Sequence, residues 1–219
     1  MENQELESKY VRSVKWSIGY IVIYCILCLG VNFYVTDQVL KVCSICGGLY
    51  LFIMNFFVKY KREYLFINGI ISAFAVLFLG ILFARSTDFV GVIQIGVVIS
   101  VVDVLSFTKY GKHTVNAKAM SDVKFVSKLI VYGKGKGDEL VPTRGIGDHF
   151  YYAMWIGGIQ HVSGHIGAYI MACLMIMVGV MIDSMIIGQL YKKETYKGFP
   201  ATIIPFTCVA TVYGACYFM

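Results

Sequence analysis

Arg144-Gly145-Ile146-Gly147-Asp148-His149-Phe150-Tyr151-Tyr152-Ala153-Met154-Trp155 is the stretch around which the rest of this chain is organised. It opens an apolar run that reads as a membrane-spanning helix, yet it carries a carboxylic acid two or three residues inside that helix. An ionisable group at such a depth costs about 2.5–3.5 kcal/mol on insertion scales, so Asp148 is expected to serve a function and to have a partner. Gly145 and Gly147 are expected to let backbone or substrate approach the acid, and to let the helix start irregularly. The chain is then searched for a second acid at the same depth.

Composition sets the solvent. The chain has 219 residues, 58% of them hydrophobic and 15% charged, with a mean hydropathy of +0.71. That is too apolar for a soluble domain, and runs near or above 18 apolar residues indicate an all-α, polytopic membrane protein. The short alternating segments of a transmembrane barrel are absent from the sequence. The acidic start (Glu2, Glu5, Glu7) lacks a signal-peptide layout, so the first apolar run is expected to be a retained helix. Seven cysteines, almost all within apolar runs, do not form a disulfide framework. Cys25-x-x-Cys28 and Cys43-x-x-Cys46 are read as small packing residues.

About seven transmembrane helices are expected, at 14–34, 39–58, 64–83, 88–107, 146–161, 164–190 and 199–218. They form a single membrane domain over 1–219: four helices within 14–107, a loop at 108–145, and three helices within 146–218. A cytoplasmic N-terminus puts all but two of the nineteen Lys and Arg residues, Lys41 and Arg85, on the inner side. The C-terminus is then outside, and the location is the plasma membrane if the source is microbial. The net charge of +6 is accordingly a topology signal and an attraction to anionic lipid of the bilayer; no nucleic acid is expected. The loop holds Lys124–Tyr132, rich in β-branched and aromatic residues, then a Gly-Lys-Gly-Lys-Gly turn and Leu140-Val141. Either a small β-hairpin or a membrane-surface amphipathic segment fits it.

The second acid is Asp103. It lies roughly 6–9 Å from the inner end of the fourth span, and Asp148 roughly 4–6 Å from the inner end of the fifth, at 1.5 Å per residue. Two carboxyls about 3 Å apart cannot both ionise, so such a pair shares a proton, one acting as general base toward water and the other as general acid. The titration belongs to the pair, and neither role is assigned to either residue. A third feature is Pro200-Ala201-Thr202 with Pro205, which is expected to break the last helix and expose backbone to a cavity near the acids. Asp183 is expected to be hydrogen-bonded within the bundle, His161 and His165 to sit in an outer turn, and His149 to point away from Asp148.

Asp103 in one helix, Gly145-Ile146-Gly147-Asp148 opening the next, then Lys192-Lys193 and Pro200-Ala201 together resemble the presenilin and signal peptide peptidase family of GxGD intramembrane aspartyl proteases. The likeness covers roughly 88–210, and Ser106-x-x-Lys109-x-x-Lys112-His113 is similar to microbial members. Val102 stands where the family has tyrosine, Thr202 where it has leucine, and the first two of the usual nine helices have no counterpart. The resemblance implies a presenilin-like bundle in which Asp103 and Asp148 are catalytic. It also implies that Gly145, Gly147, Leu140, Val141, Pro200, Ala201 and Thr202 form the substrate-binding surroundings. The expected activity is hydrolysis of single-pass transmembrane proteins or peptides near their cytoplasmic end, without metal, nucleotide or other cofactor. A substrate strand would add to Leu140-Val141 or to 124–132. Two other readings stay open: a catalytically inactive scaffold of the same build, and a small ion or solute transporter using Asp103, Asp148 and Asp183.

Overall fold

The computed structural model describes residues 2–106, 108, 122–135, 137, 139–190 and 200–218, with side chains from Glu7 onward. Ser106-x-x-Lys109-x-x-Lys112-His113 falls mostly, and Lys192-Lys193 wholly, outside the described residues. The elements are α1 (Glu2–Tyr34), α2 (Asp37–Phe56), α3 (Leu65–Ser86, after a 3-10 turn at Arg62–Tyr64) and α4 (Phe89–Ser106). There follow α5 (Val123–Lys128), β1 (Ile130–Lys134), β2 (Leu140–Gly145), α6 (Ile146–Gly158), α7 (Ile166–Leu190) and α8 (Ile203–Phe218).

Five helical segments, Glu7–Tyr34, Asp37–Phe56, Arg62–Ser86, Phe89–Ser106 and Ile166–Leu190, are long and apolar enough to cross a membrane. Their outer faces carry large apolar side chains such as Ile26, Ile45, Phe52, Val98 and Met185, all exposed. Lipid solvates such a surface and water does not. The other two expected spans are shorter. α6 has 13 residues, about 20 Å of helix, and α8 has 16, about 24 Å. A lipid-facing helix of 13 residues would leave polar ends in hydrocarbon. α6 escapes this because it is not lipid-facing: Tyr152, Ala153, Met154, Trp155 and Ile156 are all fully buried.

Small residues determine how α6 is enclosed. A Cβ added at Gly80 of α3 would lie 2.6 Å from the Phe150 carbonyl oxygen and 2.8 Å from the Ala153 methyl. Gly157 of α6 lies in the same way against Ala84 and Ile81. Close helix contact of this kind replaces the hydrophobic effect as the source of association in lipid. One turn-set earlier on α3, Gly69 lets the backbone at Ile130 and Val131 come within reach, so the same helix seats the hairpin.

The loop resolves the hairpin alternative, with one change of register. Asp122 caps α5 by accepting from the Lys124 and Phe125 amides, so the first part of 124–132 is helix. The strand begins at Ile130, and β1 pairs antiparallel with β2, Tyr132 opposite Pro142 and Lys134 opposite Leu140. Lys128 of α5 donates to the carbonyls of Met54, Asn55 and Val58, which caps the end of α2. α1 binds the hairpin through Ser13, Trp16 and Tyr20, whose side chains donate to the carbonyls of Pro142, Lys134 and Tyr132. Residues 13, 16 and 20 are one helical stripe.

Replacing Gly80 by valine should therefore force α3 from α6 and lower stability by about 1–3 kcal/mol, the usual cost of overpacking. Gly30→Val, where an added Cβ meets nothing within 4 Å, is the control. Thermal unfolding in detergent micelles should show a lower midpoint for the first and little change for the second.

Candidate functional site

Asp103 lies on the buried stripe of α4, which runs Val92, Gly96, Ser100 and continues to Asp103 at helical spacing. Its Oδ2 accepts two hydrogen bonds from Thr202, one from the backbone N–H at 3.1 Å and one from the hydroxyl at 2.8 Å. Thr202 is itself buried, directly before α8. Asp148 lies in the first turn of α6, and its Oδ2 accepts the Gly145 N–H at 3.2 Å. Each carboxyl thus has one oxygen held by a main-chain N–H, a strong arrangement for a charged acceptor. Among the described residues, the other oxygen of each takes no hydrogen bond, and neither is sealed from accessible volume. The two acids lie within electrostatic reach of one another, and the Tyr151 hydroxyl lies within reach of both.

Behind Asp148 is a charge that the sequence reading did not single out for a role. Arg144 is 7% exposed, and its guanidinium donates to Ser17 Oγ at 3.3 Å, Tyr152 Oη at 3.3 Å, Asp183 Oδ2 at 3.2 Å and the Val180 carbonyl at 3.1 Å. One side chain therefore joins β2, α1, α6 and α7. It is the one buried Lys or Arg among the described residues. Asp183, expected to be bonded within the bundle, is so, as an ion pair with no solvent exposure. A signal did exist: a carboxylate in the middle of an apolar helix requires a cation, and Arg144 opens the other acid-bearing segment.

The remaining candidates separate into those near the acids and those away from them. Gly147 is exposed, and an added Cβ there meets nothing within 4 Å, so it leaves space beside Asp148. Gly145 has φ −67° and ψ 150°, extended backbone that any residue adopts. The expected irregular helix start is therefore corrected: neither glycine occupies a left-handed conformation. Pro205 also breaks nothing. It falls in the first turn of α8, where its missing N–H has no intrahelical partner to lose, and Phe206 still donates to Thr202 O at 3.0 Å. Pro200 and Ala201 are half-buried just before it.

Val141 is buried, whereas Leu140 lines an open cleft of about 850 Å³ with Arg62, Phe66 and Lys134. The Gly135–Glu139 bond closes the turn. Antiparallel alternation from that bond turns the main-chain groups of Tyr132, Lys134, Leu140 and Pro142 to the outer edges. Three of those four carbonyls are already bonded to α1, and Pro142 has no N–H. Among the described residues, Leu140 alone of the four has no partner for either its N–H or its carbonyl on that edge.

No family model matches this chain, and no curated protein matches its sequence. What the site is must be argued from its atoms. His149 is buried with Nδ1 2.9 Å from the Gly145 carbonyl, and its own carbonyl accepts from Tyr24. It braces the turn on the side away from the Asp148 carboxyl. His161 sits at the far end of the bundle against the Ala84 carbonyl, and the backbone N–H of His165 donates to Ser163. No group of three or more His, Cys, Asp and Glu side chains is arranged to hold a metal among the described residues.

The contact between α4 and the start of α8 is directly testable. In a background with the native cysteines replaced, Asp103→Cys with Thr202→Cys should oxidise to an intramolecular disulfide, seen as a gel shift. Moving the first cysteine to the exposed Val102 should abolish the shift.

Proposed function

We propose that this chain is an intramembrane aspartyl protease of the presenilin and signal peptide peptidase type. It would hydrolyse peptide bonds of single-pass transmembrane substrates near the cytoplasmic face. The observation that carries this reading is the nearness of Asp103 and Asp148. They stand on α4 and α6, on either side of α5 and the hairpin along the chain, within electrostatic reach, each with one oxygen fixed by an amide and the other open. Further support comes from Thr202, since the Pro-Ala-Thr segment that the resemblance assigns to the active site touches one of the two acids.

The chemistry follows from two carboxyls sharing one proton. The ionised carboxylate takes a proton from a water molecule as its oxygen attacks the scissile carbonyl carbon. The protonated carboxyl gives its proton to the carbonyl oxygen, leaving a neutral gem-diol. Collapse of that diol breaks the C–N bond: one diol hydroxyl returns its proton to the carboxylate that had protonated the carbonyl oxygen, and the amine leaves with a proton from the carboxyl that had taken one from water, which restores the shared proton. Gly147 would keep room for the substrate backbone beside the acids. An unwound substrate segment would find one pair of main-chain bonds at Leu140, then Pro142, so pairing with β2 would be short. Inward positioning of the hairpin end follows from the distribution of Lys and Arg.

The transporter reading has less support. Its third acid, Asp183, is bonded to Arg144 and sits among helix contacts.

Asp103→Asn and Asp148→Asn should each reduce cleavage of a single-pass reporter in proteoliposomes by about 1,000-fold or more, while the thermal midpoint stays put. Gly147→Leu should impair cleavage through KM, since the side chain occupies the space left for substrate. Reporter cleavage undiminished in the Asp103→Asn, Asp148→Asn double variant would end the assignment.

A further inference from the structure

The buried ion pair behind Asp148 calls for a reason. An Arg–Asp pair removed from water is no better for stability than apolar residues of the same volume, and often worse. The Arg144 pair is also placed with unusual economy: the guanidinium directly precedes Gly145, whose N–H holds Asp148. The line Asp183–Arg144–Gly145–Asp148 therefore runs from the middle of α7 into the proposed active site. Arg144 is within electrostatic reach of Asp148 as well as Asp183, and Asp183 is within reach of both Asp148 and Asp103. Yet the guanidinium bonds Asp183, and its bonds to Ser17, Tyr152 and the Val180 carbonyl all hold it in that direction. The second Asp183 oxygen is buried without a partner.

We infer that Asp183 is a positioning residue that keeps Arg144 off the Asp148 carboxylate, so that the guanidinium can anchor the Gly145 turn without forming an ion pair with the acid it positions. Arg144 and Asp183 touch no substrate. With Asp183 neutral, Asp148 becomes the nearest carboxylate, and a two-pronged guanidinium–carboxylate pair in a water-poor site would occupy both Asp148 oxygens. That pair would hold Asp148 ionised and end proton sharing with Asp103. Among the described residues, the groups that face Asp148 are otherwise few. They are Asp103 on α4, Arg144 on β2, Asp183 on α7, and Tyr151 and Tyr152 on α6 itself, while His149 turns to Gly145. Tyr24 of α1 faces His149, and Cys208 of α8 lies near Asp183. Arg144 is the only one of these that is a permanent cation. The inference rests on the protease reading for its consequence in turnover, but not for its electrostatics.

The test uses the full chain in detergent micelles and two readouts. Difference infrared spectra, wild type minus Asp148→Asn, isolate the protonated-carboxyl stretch of Asp148 without any substrate. That band should be present in wild type, disappear in Asp183→Asn at the same pH, and return in Arg144→Gln, Asp183→Asn, where the competing cation is gone. Reporter cleavage should follow: kcat at least about tenfold lower in Asp183→Asn with KM nearly unchanged, and partly recovered in the double variant. A purely structural pair would instead lower the melting temperature and both kinetic parameters together, with the double variant no better than the single. Asp183→Glu, which keeps the charge, should keep the band and provides the comparison if Asp183→Asn does not fold. An unchanged Asp148 band in Asp183→Asn, or a band missing from the double variant, overturns the inference. A band that responds as described in a protein that cleaves no reporter would uphold the inference and remove the protease reading.

Discussion

The close approach of α3 and α6 is the contact on which the rest of the bundle depends. α6 is too short to be placed by the bilayer, so its height and rotation must come from its neighbours. Gly80 and Ala84 on one side and Ala153 and Gly157 on the other bring the two backbones together. Helix packing at this separation has few alternatives, because a shift along the seam puts a methyl group into a carbonyl. Gly69 lies eleven residues before Gly80, three turns back on nearly the same face, and there the hairpin backbone rests. One stripe of α3 therefore aligns β1 with α6. The joint between hairpin and helix, where Arg144 and Asp148 stand, inherits its position from that alignment.

Much of this was legible in the residues, and what was not has identifiable causes. Asp103 and Asp148 stood out together because a carboxyl within an apolar run is costly and their matching depths could be counted along two helices. Thr202 was placed near them by the prolines around it and by the resemblance; nothing in its residue type indicated that both its amide and its hydroxyl would serve Asp103. The role of Arg144 was hidden because a basic residue at the end of a loop looks like any topology signal, and only the fold shows it turned inward. The surroundings of α6 were misread for a related reason: with the 3-10 turn that follows, it covers the expected 146–161, but protein encloses it. Hydropathy reports that a segment is buried, not whether lipid or protein buries it. At Lys124–Tyr132 the residues fitted a strand and a surface amphipathic segment equally, and the Asp122 cap makes 124–128 helix. Pro205 looked disruptive while the helix was thought to begin near 199, and became ordinary once it began at Ile203.

The hairpin edges bear on the same question of access. A two-stranded sheet exposes two rows of main-chain groups, and in an apolar setting each one left unpaired costs free energy. α1 takes up three of the four outer carbonyls with Trp16, Tyr20 and Ser13, and the Trp16 indole also covers Gly133, where any side chain would collide with it. The open position at Leu140 is then a defined exception next to the large cleft. It lies on the strand that leads straight into Arg144 and Asp148, so whatever occupies that edge is covalently adjacent to the acids.

α4 is held far more lightly than α6. Its contact with the bundle is the single stripe Val92, Gly96, Ser100, with the Phe206 ring of α8 filling the notch at Gly96, while Val97, Val98, Val101 and Val102 look outward. One carboxylate of the pair is thus fixed to a rigid core and the other rides on a helix bathed by acyl chains. Hydrophobic thickness and lateral pressure act on such a helix directly, as tilt or vertical shift. The bilayer becomes, in effect, one wall of the chamber that holds the two acids, and membranes of different composition would tune the same polypeptide to different gaps between them.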